Sequence, residues 1–187
     1  GSRNTASGSL ALDSNTTASD NTATGYKALY ANTTGAANVA IGSCALYTAT
    51  TGCCNVAIGC ETLGANTTAS FNTGLGARAL QTNTTGVANT ALGYVTLQSN
   101  TTGTENTAIG NIALYANTTA SYNTAVGKSA LCSNTTGTNN VAVGISALIE
   151  NTTANDNTAI GRCALACNIT TAGNTAIYFS SYSNNRF

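Results

Sequence analysis

The stretch Asn106-Thr107-Ala108-Ile109-Gly110-Asn111-Ile112-Ala113-Leu114-Tyr115-Ala116-Asn117-Thr118-Thr119-Ala120-Ser121-Tyr122 decides the fold, because the whole chain is variations on it. Its opening Asn recurs every 17 residues, at Asn4, Asn21, Asn38, Asn55, Asn72, Asn89, Asn106, Asn123, Asn140, Asn157 and Asn174. A period held over nearly the full length means one small unit stacked on itself. Insertions collect in exposed loops, so their absence implies that every turn of the stack is held in register.

Within the unit, residues 106–110 alternate. Thr107 and Ile109 share one side, and Asn106, Ala108 and Gly110 share the other. Seventeen residues are too few for a helical pair of about 34, and β-branched residues favour a strand. The Ile109 column (Ile41, Ile58, Leu75, Leu92, Val126, Val143, Ile160, Ile177) reads as the core, and the Gly110 column as the corner where the chain takes positive φ. A second short strand is expected around Ala113-Leu114, its Leu column (Leu12, Leu29, Leu46, Leu63, Leu80, Leu97, Leu131, Leu148, Leu165) completing each core layer. Asn117-Thr118-Thr119-Ala120 makes the return turn.

These columns predict an all-β parallel β-solenoid over residues 1–177, with ten to eleven coils and a length of about 50 Å. The last repeat breaks pattern, with Tyr178 for Gly and Tyr182 for Leu, so residues 178–187 are expected to form an aromatic C-terminal cap or junction. The side lined by Asn, Ala and Gly is flat and predicts a surface where identical chains pack around a three-fold axis. A monomeric rod with a smooth solvated face is the alternative.

Six basic and six acidic residues give zero net charge, so nothing steers the chain to nucleic acid or an anionic membrane. The apolar runs are far shorter than the roughly 20 residues of a membrane-spanning helix. His is absent, which removes the commonest general base and metal ligand, and no cofactor is expected. The carboxylates Asp20, Glu105 and Asp156 share a column but stand five and three coils apart, too far for paired catalysis. Asp13 and Asp20 flank one turn as solvated charges. Seven Cys occupy several different columns and form no regular ladder, four of them (Cys44, Cys53, Cys54, Cys60) in two adjacent repeats, and most read as small apolar substitutions. The lack of Met and the mid-repeat start at Gly1 point to a processed product or a piece of something longer.

Asn38-Val39-Ala40-Ile41-Gly42 and Asn55-Val56-Ala57-Ile58-Gly59 resemble the head repeat of trimeric autotransporter adhesins of the YadA type. The longer pattern NTALG…AL…NTTG is similar to repeats of phage and viral tail-fibre proteins. The resemblance covers about residues 4–177, although autotransporter heads have shorter repeats. It implies a left-handed parallel β-roll, homotrimeric, in an extracellular fibre on a cell surface or virion. The implied partners are identical chains and a host-surface receptor or glycan.

Two sets of residues are candidates for function. Asn15, Asn32, Asn66, Asn83, Asn100, Asn117, Asn134, Asn151 and Asn168 each begin Asn-x-Thr, the acceptor for N-glycosylation. They allow a glycan-coated filament, or else a structural turn with a stacked Asn column. The residues after the corner Gly vary most, so Tyr26, Lys27, Tyr94, Lys128 and Arg162 are candidates for surface binding. Ice binding by a Thr array is a minor alternative, because Thr107-type residues share a column with Val39, Val56 and Val141 and are expected to face the core.

Overall fold

The computed structural model describes residues 1–177; the cap or junction expected at 178–187 lies outside the described residues. The chain winds into a β-solenoid with one three-residue strand per coil. The strands are β1 (Thr5–Ser7), β2 (Thr22–Thr24), β3 (Val39–Ile41), β4 (Val56–Ile58), β5 (Thr73–Leu75), β6 (Thr90–Leu92), β7 (Thr107–Ile109), β8 (Thr124–Val126), β9 (Val141–Val143), β10 (Thr158–Ile160) and β11 (Thr175–Ile177). They form a single parallel sheet in sequence order. Partners lie 17 residues apart, as in Thr107↔Thr124, Ala108↔Ala125 and Ile109↔Val126.

The second strand expected around Ala113-Leu114 is not one. Its place is taken by a tight run in which Ile112 and Leu114 both adopt left-handed backbone, each at φ 51°, and Tyr122 does so at φ 63°. Thirty non-glycine residues share these three columns, a conformation that costs roughly 1–2 kcal/mol per residue. The stack holds it by giving nearly every such N–H a partner in a neighbouring coil. Ile112 donates to the Tyr94 carbonyl at 3.1 Å, Leu114 to Ala130 at 2.9 Å and Tyr122 to Thr104 at 3.1 Å. The corner glycine is as expected: Gly110 sits at φ 128°, where an added Cβ would lie 2.7 Å from Gly127 backbone.

The faces of the strand are the reverse of the sequence expectation. Ala108 is fully buried and Ile109 is 37% exposed; Leu75 reaches 42% and Ile160 38%. Period-two alternation says which residues share a face but not which face is inside. Here the interior of one coil is filled by Leu114, Ala108, Ala113, Ala120, Asn106 and Asn117. In a close-packed interior this thin, Ala fits beneath the strand and a second branched side chain does not. The Leu column stays inside as predicted, fully buried from Leu29 to Leu148. The Asn, Ala and Gly side, expected to be a packing surface for other chains, is therefore the interior.

Burying so many amides requires partners for them, since an orphaned buried polar group costs about 1–3 kcal/mol. Asn106 and Asn117 converge on one acceptor, the Ala120 carbonyl, at 2.9 and 3.0 Å. Each also donates to its counterpart one coil earlier: Asn106 to Asn89 Oδ1 at 3.1 Å, Asn117 to Asn100 Oδ1 at 2.8 Å. The Asn106 Oδ1 in turn accepts the backbone N–H of Asn123 at 3.0 Å. Two amide ladders thus run along the rod and pin the return turn to the strand. One break proves the rule. Residue 49 is Ala, and the Asn32 Oδ1 that would accept from it is buried without a partner.

Candidate functional site

The outward columns of the sheet form one candidate surface. Beside the exposed Ile column runs a half-exposed one made of Thr22, Val39, Val56, Thr73, Thr90, Thr107, Thr124, Val141 and Thr158. The Thr107-type residues therefore face solvent, against the expectation that they face the core. From Ile41 to Ile177 the outer column contains only Ile, Leu or Val, nine coils long. Monomeric soluble proteins rarely expose an apolar strip this continuous.

The sequon residues do not form a surface. Asn32, Asn66, Asn83, Asn100, Asn117, Asn134 and Asn151 are fully buried, and Asn15 and Asn168 are half-buried. The Nδ2 atom that would carry a sugar is the atom that donates to the return-turn carbonyl, as in Asn83 to Gly86 at 2.9 Å. A glycan there would displace the ladder bond, so the folded coil supplies the structural reason for Asn-Thr-Thr. The first Thr of each turn continues the pattern, as Thr101 Oγ1 donates to the Thr118 carbonyl at 3.0 Å.

The corner residues proposed for binding fall into place without forming one cluster. Tyr26, Tyr94, Lys128 and Arg162 share a column, all exposed, at intervals of four, two and two coils. Lys27 lies beside Tyr26, with its ammonium 5.3 Å from that ring centroid, 5.5 Å from Tyr30 and 5.6 Å from Tyr47. Its hydrogen bond with Tyr26, and then the charge of the neighbouring phenols, holds the ammonium above its ordinary pKa. Tyr30 and Tyr47 stack at 5.4 Å with 17° between planes.

Further along this edge Arg78 Nε and Gln81 Nε2 donate to Glu61 Oε2 at 3.0 and 2.7 Å. Tyr30, Tyr47, Glu61 and Gln81 are thus site residues beyond those singled out in the sequence. The signal available was Gly64, a bare position between Tyr30 and Tyr47 on one side and Gln81 and Gln98 on the other in the same column.

Charge and thiol chemistry are sparse. Asp20 is engaged by Arg3 at 2.6 and 2.8 Å, which holds its carboxyl below the usual range. The described cysteines are all free thiols. The Cys53–Cys54 contact raises the Cys54 thiol, and burial raises Cys132. Among the described residues no three His, Cys, Asp or Glu side chains gather where a metal ion could sit. No family model, curated protein or solved structure matches the chain.

Proposed function

We propose that the chain is a non-enzymatic segment of an extracellular fibre, the shaft or head of a surface appendage or viral tail fibre. Identical chains pack on one another through the outer sheet face. The observation that carries this reading is the unbroken outward column from Ile41 to Ile177 on a single parallel sheet. Covering it in an assembly removes the apolar surface from water and leaves the varied corner columns outside to meet a host-surface receptor or glycan. The resemblance to YadA-type heads and tail-fibre repeats supports three chains and a left-handed roll. Light scattering tests the assembly: a mass near three times 18.6 kDa is expected for the wild type. The double variant Leu92→Asn with Ile109→Asn should fall to a folded monomer. A wild-type monomer overturns the reading.

One observation favours a second reading, ice binding. Thr73, Thr90, Thr107 and Thr124 form an outward Thr run on the sheet, spaced about 4.8 Å apart. The Val residues at 39, 56 and 141 interrupt that array, and the larger column beside it is purely aliphatic, which suits protein packing better. Thermal hysteresis in a freezing-point measurement, lost on Thr107→Lys, would establish this reading in place of the fibre; its absence leaves the fibre reading alone.

A further inference from the structure

Repetition fails most in the coils of residues 38–54 and 55–71, where Ala49 replaces a ladder Asn and four Cys cluster. There the stacked pair of Tyr30 and Tyr47 ends abruptly. The next ring of the stack would come from residue 64, which is Gly. Behind Tyr47 this leaves a recess of about 510 Å³, bounded by Tyr47, Glu61, Gly64, Ala65 and Gln81. Tyr47 and Gln81 are two coils apart, roughly 10 Å, which is the thickness of one ring layer between two stacked neighbours. The backbone does not demand Gly64. Its φ is not in the left-handed region; an added Cβ would lie 3.2 Å from the Glu61 carbonyl oxygen, a close contact relieved by a shift of a few tenths of an ångström, and 3.8 Å from that of Cys44. The missing side chain therefore shapes the surface and not the path of the chain.

The rim is polar and set in advance. Arg78 and Gln81 both donate to Glu61 Oε2, and Gln98 fixes Gln81 by donating to its Oε1 at 2.5 Å. Engaged by Arg78 and Gln81 through Oε2, Glu61 lines the recess. Arg78 already balances the carboxylate and the Lys27 ammonium stands near Tyr47, so a cationic ligand gains little here. A purely aromatic ligand would cover Glu61 without satisfying it.

We propose that this slot takes one neutral pyranose ring of a saccharide. Its C–H face stacks on Tyr47 in the place of the missing side chain, and a hydroxyl donates to the Glu61 carboxylate. The proposal rests on the fibre reading for its setting, as the receptor-facing part of the corner columns, but it is tested separately.

Saturation-transfer NMR on the full chain would use methyl β-D-glucopyranoside and methyl β-D-galactopyranoside, with phenol and choline as comparators. Transfer to the ring C–H protons of at least one glycoside is expected. Tyr47→Ala should weaken it about tenfold. Gly64→Tyr, which continues the Tyr stack into the slot, should abolish it with the melting temperature retained, and Tyr115→Ala should leave it unchanged. Silence from both glycosides, transfer surviving in Gly64→Tyr, or binding of phenol or choline alone would overturn the proposal. None of these results alters the mass by light scattering, so the fibre reading stands or falls independently.

Discussion

The interior columns of the rod and the columns that follow its corner glycine obey opposite rules. Inside, Asn106, Ala108, Leu114 and Asn117 have near-identical counterparts in almost every coil. After the corner, one column runs Ser9, Tyr26, Ser43, Cys60, Ala77, Tyr94, Asn111, Lys128, Ile145, Arg162. The interior repeats because each side chain is its neighbour's partner. An Asn donates to the previous Asn and accepts from the next, so no member can change alone without orphaning another. The corner side chains reach the surface and change from coil to coil. Uniformity marks the scaffold, and local irregularity marks where specificity can reside.

The largest effect should come from setting two asparagines of one coil against each other. Asn106→Ala opens a void in the interior and orphans the buried Asn123 N–H. It should cost roughly 3 kcal/mol or more in urea unfolding. Asn111→Ala, five residues on and exposed, should stay within about 0.5 kcal/mol. Leu114→Ala follows, at about 2–5 kcal/mol, while the adjacent exposed Tyr115→Ala should change little. Equal costs within either pair would erase the distinction between scaffold and surface.

Repairing the ladder should do the opposite of breaking it. Ala49→Asn gives the buried Asn32 Oδ1 its missing donor and should raise stability by about 1–3 kcal/mol. A loss instead would mean that residue 49 lies in a space the neighbouring asparagines do not share.

The smallest effect belongs to the exposed Arg3–Asp20 pair. Its folded pKa is depressed, so the pair's contribution is present above the ordinary Asp value of 3.8 and is lost as pH falls through the lower folded value. Both groups are solvent-exposed and screened, so melting curves of the wild type and Asp20→Asn should differ only slightly near neutral pH. Any difference should vanish in acid.

Much of the architecture was legible in the 17-residue interval: a parallel solenoid, its coil length, the corner at Gly110, and the buried Leu114 column all follow from it. The phase of the strand was not, because alternation treats the two faces alike and hydrophobicity favoured Ile109 over Ala108. The tolerance of the Ile column for Ser7 and Thr24, set against the near-uniform Asn and Ala columns, was the clue to its exposure. The left-handed backbone at Ile112 and Leu114 was illegible for a different reason. Nothing about Leu prefers φ near 50°; hydrogen bonds from neighbouring coils impose it. The recess beside Tyr47 needed both the stacking distance and the empty position at Gly64, and only the former required coordinates.

Hydrogen exchange of asparagine side-chain amides, followed by NMR, measures most directly whether the Asn columns are the inside of the rod. The Nδ2 protons of Asn106 and Asn117, each held by a carbonyl and a neighbouring Asn, should exchange far more slowly than those of exposed Asn111. Exchange of Asn106 and Asn117 at the rate of Asn111 would place them in solvent and contradict the inverted strand, the amide ladders and the outward Ile face together.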